Sequence, residues 1–223
     1  MSERFVEGFI VSQKKLTGLL GTAALEPNTV KTKLKGNPIL KDVIMTLANG
    51  ENDAEPVDSA LAALRRGSPH PEAAYKYARV TTLVLHAYGE SLGTFQANYM
   101  NSDDFGLWTP VFHALGMKTI AKQWAKASLA FPFARPSLNV SWPILSCIDA
   151  ESLAAWKREL AGTWSEKLET LPVKTYDPDE SGSVTREEVH AGIAMLAQWV
   201  KRATTQTKMQ PDSALVLILD GDQ

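Results

Sequence analysis

Residues 71–92 read PEAAYKYARVTTLVLHAYGESL, and this stretch decides the fold that the sequence predicts. It is long enough for about six helical turns and holds no glycine before Gly89. Its apolar residues, Tyr77, Val80 and Val84 among them, recur at spacings of three and four, which is the period of a helix. A helix that is apolar on most of its sides is normally buried. We therefore predict a long central helix as the strut of the core.

One cation, Arg79, lies half-way along this predicted helix. A guanidinium in a buried helix has to reach solvent, an anion or a groove, because burying an unpaired charge is unfavourable. Two interpretations are open. In the first, Arg79 extends to the surface or pairs with Glu72; in the second, it binds an anionic ligand.

The composition is that of a folded protein with one large domain or two smaller lobes. The chain has 223 residues, of which 44% are hydrophobic and 22% charged, and these proportions exclude a disordered chain. The single cysteine, Cys147, excludes a disulfide framework within the chain and suits a reducing cytosol. The four histidines are scattered and give no zinc or haem spacing.

Several functional classes are disfavoured by the patterns that the chain lacks. No apolar run approaches the length of a membrane span, and the first residues, MSERFVEGF, lack the apolar segment of a signal peptide. There is no Gly-rich phosphate loop, no Gly-x-Ser-x-Gly elbow and no internal repeat. We therefore expect a protein that is not an enzyme and does not span a membrane.

The N-terminal segment, residues 3–20, predicts an amphipathic helix that ends at Gly21. Its apolar residues lie roughly on one helical side and include Phe5, Phe9, Ile10 and Leu16. Such a helix packs on its own domain in the common case. The alternative is that it docks in a groove of a neighbouring copy and makes the protein oligomerise.

Cations cluster at two further places. Arg65 and Arg66 end a short predicted helix, where they complement its dipole, and they lie close in sequence to Arg79. Lys118, Lys122 and Lys126 recur every four residues on a helix predicted from 111 to 129 with a break near Gly116, which predicts one cationic stripe. Trp124 lies beside the stripe, where it either stacks on a base or belongs to the core.

Residues 177–188, DPDESGSVTREE, have the spacing of an EF-hand calcium loop. Gly182 is at the sixth position, where the chain turns sharply. Oxygen-bearing side chains occupy the ligand positions, namely Asp177, Asp179, Ser181, Ser183 and Glu188. The alternative is a polar turn in which Thr185 caps the next helix and Glu188 reaches back to it, as in a capping box.

The second half of the chain contains several residues that predict where its elements begin and end. Residues 131–149 contain three prolines and predict an extended connector between lobes. Asp149 begins an amphipathic helix that Pro172 stops, and Thr185 begins another. The run ALVLILD at 214–220 fits a strand and a docked terminal helix equally well.

Taken in order, several segments resemble the nucleocapsid proteins of phlebovirus- and tenuivirus-like segmented negative-strand RNA viruses. Besides the N-terminal helix they are KDVIMTLANG (41–50), YARV (77–80), the stretch from RPSL to CIDAESL (135–153) and DPDESGSVTREEV (177–189). The resemblance implies an all-helical core in two lobes, an arm that docks on the next protomer and genomic RNA in a groove between the lobes. It places Arg79 at the family's groove arginine. It also implies the viral polymerase as a partner and a location in the virion and the host cytoplasm.

We therefore predict an all-α protein with an oligomerisation arm (1–21), an N-terminal helical lobe (22–135) and a C-terminal helical lobe with a tail (136–223). It would coat single-stranded RNA without sequence preference, as a nucleocapsid or helical coat protein and without a cofactor. Arg65, Arg66, Arg79, the three lysines and Trp124 would contact the RNA. The alternative is a calcium-binding helical protein that uses the loop at 177–188.

Overall fold

The computed structural model describes residues 4–16, 81–82, 84–97, 108–124, 144–178, 180–182 and 184–221. In these residues helices pack on a four-stranded antiparallel sheet, so the protein is mixed α/β. The prediction of an all-α, two-lobed fold is therefore wrong. The sheet takes strands from all three of the predicted units, whose boundaries stay a prediction.

The sheet has the order β2-β1-β4-β3, and every neighbouring pair runs antiparallel. Its strands are β1 (Arg4–Ser12), β2 (Glu90–Gln96), β3 (Ile144–Ile148) and β4 (Ser213–Gly221). The two central strands pair over their whole length, from Arg4 with Gly221 to Ser12 with Ser213. The sheet therefore joins segments that are far apart in sequence.

Five α-helices have bounds within the described residues. They are α1 (Trp108–Leu115), α2 (Lys118–Trp124), α3 (Ala150–Leu160), α4 (Trp164–Glu169) and α5 (Arg186–Met209). Residues 13–16, 81–82 and 84–88 are also helical, and a 3-10 turn spans Val173–Thr175.

Most of the described part of the predicted N-terminal helical arm is instead β1, one of the two central strands of the sheet. Along it Val6, Gly8 and Ile10 share one face of the sheet while Glu7 and Phe9 share the other, because successive side chains of a strand alternate. Of the proposed oligomerisation residues, Phe9 (1% exposed), Ile10 (6%) and Leu16 (1%) are buried in the same chain, and Phe5 is half-buried. An arm free to leave this position would break hydrogen bonds with two strands at once.

Helices α1, α3 and α5 and the Val6 face of the sheet enclose the main core. Trp156 and Trp199 are buried there together with Leu215, Leu217 and Leu219 of β4. The ring of Trp199 lies directly over β1, so that a Cβ added at Gly8 would meet it at 2.6 Å. Only glycine gives the indole this room.

The segment at 84–88 packs against the opposite face of β1. The rings of His86 and Phe9 meet edge to face at 4.9 Å, and His86 Nε2 lies 3.2 Å from Glu7 Oε2. The helical residues end at Tyr88, and β2 begins at Glu90, directly after Gly89. The helix predicted for 71–92 thus ends earlier than expected. Residues 71–80 lie outside the described part.

Several local predictions are confirmed. The chain breaks at Gly116, which has a φ of 85°, and Asp149 caps α3 by accepting a hydrogen bond from the Ser152 N–H. The run at 214–220 is a strand, one of its two predicted alternatives. The helix expected from Asp149 to Pro172 is interrupted at 161–163 and forms α3 and α4 separately.

Candidate functional site

The loop at 177–188 connects the 3-10 turn to α5 and is built around the carboxylate of Asp177. This side chain is only 1% exposed. The Gly182 N–H donates to its Oδ2 (2.7 Å), and the Ser181 hydroxyl donates to its Oδ1 (3.2 Å). The acidic group at the first ligand position therefore points into its own loop.

The backbone at Gly182 takes the conformation that the sixth position requires. Its φ is +72°, a value that glycine reaches without strain. A Cβ at this position would meet no atom within 4 Å, so the requirement is one of backbone conformation and not of space.

The capping box predicted as the alternative is present at the start of α5. The Glu188 N–H donates to Thr185 Oγ1 (3.2 Å), and the Thr185 N–H donates to Glu188 Oε2 (2.7 Å). Glu188 would have to leave this box to bind an ion at the centre of the loop. The capping interpretation is thus confirmed, and it leaves the ion interpretation open.

The chain enters the loop through an irregular segment. Pro172 precedes the 3-10 turn, and no α-helix of the described part runs directly into Asp177. Arg186 ties the two sides of the loop together, because its Nη2 donates to the Leu171 carbonyl (3.3 Å) and its guanidinium lies 5.9 Å from the Tyr176 ring centre.

The residues present fit a calcium ion in part. Calcium prefers hard oxygen ligands, which Asp177, Ser181 and Glu188 supply. Asp179 and Ser183 lie outside the described residues. Within the part that the structure describes, no three His, Cys, Asp or Glu side chains are grouped as they would be around a metal.

Of the cations predicted to contact RNA, the structure describes two. Lys118 and Lys122 are exposed one turn apart on α2. The carboxylate of Glu159 on α3 fixes this helix by accepting hydrogen bonds from the N–H groups of Thr119 (2.8 Å) and Ile120 (3.0 Å). Arg65, Arg66, Arg79 and Lys126 lie outside the described residues.

Trp124 belongs to the core. It is 1% exposed, and its ring centre lies 5.2 Å from that of Phe112 and 6.0 Å from that of Trp108. A base could stack on this ring only after the core had opened, so the core alternative is the one that the structure supports.

A groove that the sequence analysis missed runs between α5 and the β1–β2 side of the sheet. Its volume is about 420 Å³, and it is lined by Ile10, Glu90, Gln198, Lys201, Arg202, Thr205 and Gln206. The five residues from α5 recur at spacings of three and four, so the sequence does show a polar helix face. Only the fold brings Ile10 and Glu90 opposite to it.

Two nucleophilic side chains lie elsewhere. Burial raises the pKa of the Cys147 thiol to about 12, with a smaller contribution from the negative charge of Asp149, so the reactive thiolate is scarce at neutral pH.

Ser165 Oγ lies 3.2 Å from His190 Nε2. Among the described residues no carboxylate is hydrogen-bonded to this histidine, so the part of the chain that the structure describes completes no triad around the pair.

None of the family models, curated proteins or solved structures compared with this chain matches it. The resemblance to the nucleocapsid proteins stays a prediction, and the all-helical fold that it implied is not the fold observed. None of the helices described is long and apolar enough to cross a membrane.

Proposed function

We propose that this protein binds calcium through the loop at 177–188, on a mixed α/β scaffold. The observation that carries the proposal is the buried carboxylate of Asp177, held by the Gly182 N–H in a loop with the residue spacing of an EF-hand. Asp177, Asp179, Ser181 and Glu188 would supply the oxygen ligands. The ion would supply positive charge that compensates the carboxylates among these ligands.

The capping box sets the strength that we expect of this binding. Glu188 exchanges its hydrogen bonds to Thr185 for the ion, and losing a helix cap costs about 0.5–2 kcal/mol. We therefore expect a dissociation constant at the weak end of the range for such loops, roughly 10⁻⁴ to 10⁻³ M.

The test compares calcium binding by the wild type with that of Glu188→Gln, measured by isothermal titration calorimetry and by thermal melting. Glutamine keeps the capping box but removes a bidentate carboxylate. We expect the melting temperature of the wild type to be higher in about 10 mM calcium chloride. This concentration is well above the expected dissociation constant, and bound calcium stabilises the folded state. The variant should melt unchanged without calcium and respond only weakly to it.

Glu187→Gln is the matched control, because Glu187 is adjacent and exposed but lies off the ligand spacing. It should bind calcium like the wild type. A wild type whose melting temperature is the same with calcium, with magnesium and with neither would refute the proposal. An equal loss of binding in the Glu187 and Glu188 variants would reduce it to non-specific attraction of cations.

A second candidate function is the binding of single-stranded RNA, as a nucleocapsid or helical coat protein would do. The observation that favours it is the pair Lys118 and Lys122, which are exposed on one side of α2 and make no ion pair with the residues described. Such cations neutralise phosphates and release counterions, so that the affinity falls with salt. This expectation depends on α2 alone and not on the fold of the rest of the protein.

The test for this candidate is the double variant Lys118→Glu with Lys122→Glu, titrated with a random-sequence RNA at about 0.1 M salt. We expect it to lose most of the affinity of the wild type. The control is Lys174→Glu with Lys208→Glu, which makes the same charge change at exposed positions elsewhere. Equal affinities of wild type and both double variants would exclude α2 as an RNA-binding surface.

A further inference from the structure

The groove between α5 and the sheet has the construction of a small binding site. Ile10 and Glu90 are cross-strand partners of β1 and β2 and form one side of it. The opposite side is one face of α5 and presents two amides, one hydroxyl and two cations. A volume of about 420 Å³ lies within the range of small-molecule sites.

The groove carries more positive than negative charge. Arg202 Nη2 donates to Glu90 Oε1, so the carboxylate compensates one of the two cations. Lys201, next to it on α5, is exposed and makes no ion pair with any residue described. The groove is therefore left with one uncompensated positive charge.

Two of the neutral polar groups, the amides, can donate as well as accept hydrogen bonds. The side-chain amides of Gln198 and Gln206 line the groove and donate to no group in the described part of the chain. The Thr205 hydroxyl donates to the Lys201 carbonyl (3.0 Å), so its proton is already used within the helix. An occupant would thus meet an ammonium, part of a guanidinium and two amides, which suit an oxygen-rich anion.

We propose that this groove binds a small phosphate-bearing molecule. Its α5 residues span 198–206, about 12 Å of helix, which is too short to hold several nucleotides of a strand. Its single carboxylate argues against a metal ion, which would need more hard ligands. The phosphate would lie at Lys201 and Arg202, and the remainder of the ligand would lie against Ile10.

Glu90 has a specific part in this proposal, because it is the anion that Arg202 already holds. A phosphate that enters the groove competes with this carboxylate for the guanidinium. Removing the charge of Glu90 should therefore strengthen binding, whereas removing the charge of Lys201 should weaken it. A general attraction of anions would show the same two signs, so the comparison that identifies a site is that of Lys201 with an exposed lysine of the same helix outside the groove.

The experiment is a titration of the full chain with inorganic pyrophosphate, followed by backbone amide chemical shifts in NMR at constant ionic strength. We expect the largest shift changes at residues 198–206 and at Glu90. Lys201→Gln should weaken binding about tenfold, as the loss of one charge-assisted contact implies. Glu90→Gln should tighten it several-fold.

Lys208→Gln is the control, because Lys208 is exposed on the same helix but outside the groove. It should bind pyrophosphate like the wild type. The proposal is overturned if the shift changes lie elsewhere, if the Lys201 and Lys208 variants lose affinity equally or if Glu90→Gln weakens binding. It is also overturned if a uridine 20-mer binds with groove shifts that pyrophosphate does not reproduce, because the groove would then be part of a nucleic-acid surface.

Discussion

Gly182 shows at the scale of one residue how the loop at 177–188 depends on its sequence. Its φ of +72° is disfavoured for any residue with a Cβ. The Gly182 N–H also holds the buried carboxylate of Asp177. Backbone conformation and charge burial are therefore coupled at this position.

We expect Gly182→Ala to lower the free energy of unfolding by about 1–2 kcal/mol, the penalty of the left-handed conformation for a non-glycine residue. Urea unfolding followed by circular dichroism measures this. Gly162→Ala is the control, because Gly162 is exposed in the α3–α4 connection and its φ is not positive. The same loss in both variants would mean that the conformation of Gly182 is not what matters.

Cys147 makes stability depend on pH. Burial raises its pKa from 9.0 to about 12, so the folded state holds the thiol proton more tightly than the unfolded state does. Its contribution is complete below pH 9 and is lost as the pH rises towards 12. We expect the wild type to lose more stability than Cys147→Ala between pH 8 and pH 10.5, measured by urea unfolding at both values. Equal losses would show that the thiol ionises as readily in the folded protein as in the unfolded chain.

At the scale of single elements, α2 depends on a cap supplied by another helix. Glu159 of α3 accepts hydrogen bonds from two N–H groups in the first turn of α2. Gln123 of α2 accepts a hydrogen bond from the Trp156 indole of α3 and donates one to Ser152 Oγ (2.7 Å). The two helices are therefore joined by polar contacts as well as by the core.

We expect Glu159→Ala to destabilise the protein by about 1–2 kcal/mol, because helix N–H groups lose their acceptor. Hydrogen exchange of the Thr119 and Ile120 amides should become faster. The control is Lys157→Ala, which truncates an exposed neighbour on α3. Unchanged exchange at both amides would show that Glu159 does not cap α2 in solution.

The elements that could be predicted from sequence are those with local causes. Asp149 and the Thr185–Glu188 box mark helix starts through contacts within four residues, and Gly116 breaks a helix by its own conformation. Strand β1 could not be predicted in this way. Its apolar residues fit a helical side well enough, and the partners that make it a strand lie in β2 and β4, far along the chain.

The same distinction applies to the candidate sites. The loop at 177–188 was recognisable because all its positions lie within twelve consecutive residues. The groove was not, because the sheet pairing of Glu90 with Ile10 is what places them opposite α5. Trp124 followed the ordinary rule that a large aromatic residue on a helix is buried.

At the scale of the whole molecule, β1 occupies an interior position of the sheet, between β2 and β4. A free arm could be deleted without unfolding the rest of the chain. The prediction of a helical arm therefore implied that the protein stays a folded monomer after the deletion. Since β1 lies between β2 and β4, we now expect deletion of residues 1–12 to abolish the cooperative unfolding transition. Thermal melting by circular dichroism tests this, with deletion of residues 1–3 as the control. A cooperative melt of the shorter chain would show that the protein folds without β1.

The pairing of β1 with β4 also has a consequence for biosynthesis. Ser12 and Asp212, which are hydrogen-bonded at the end of this pair, are separated by 200 positions. Strand β1 must therefore wait for a segment that is synthesised about 200 residues later before its edge towards β4 is satisfied, and closing so long a loop is slow. During that interval one edge of the apolar strand FVEGFIV stays unpaired in a nascent polypeptide, where a chaperone or a second nascent chain can capture it. Slowing translation alone would lengthen this exposure, whereas a holdase that covers the first dozen residues would shorten it.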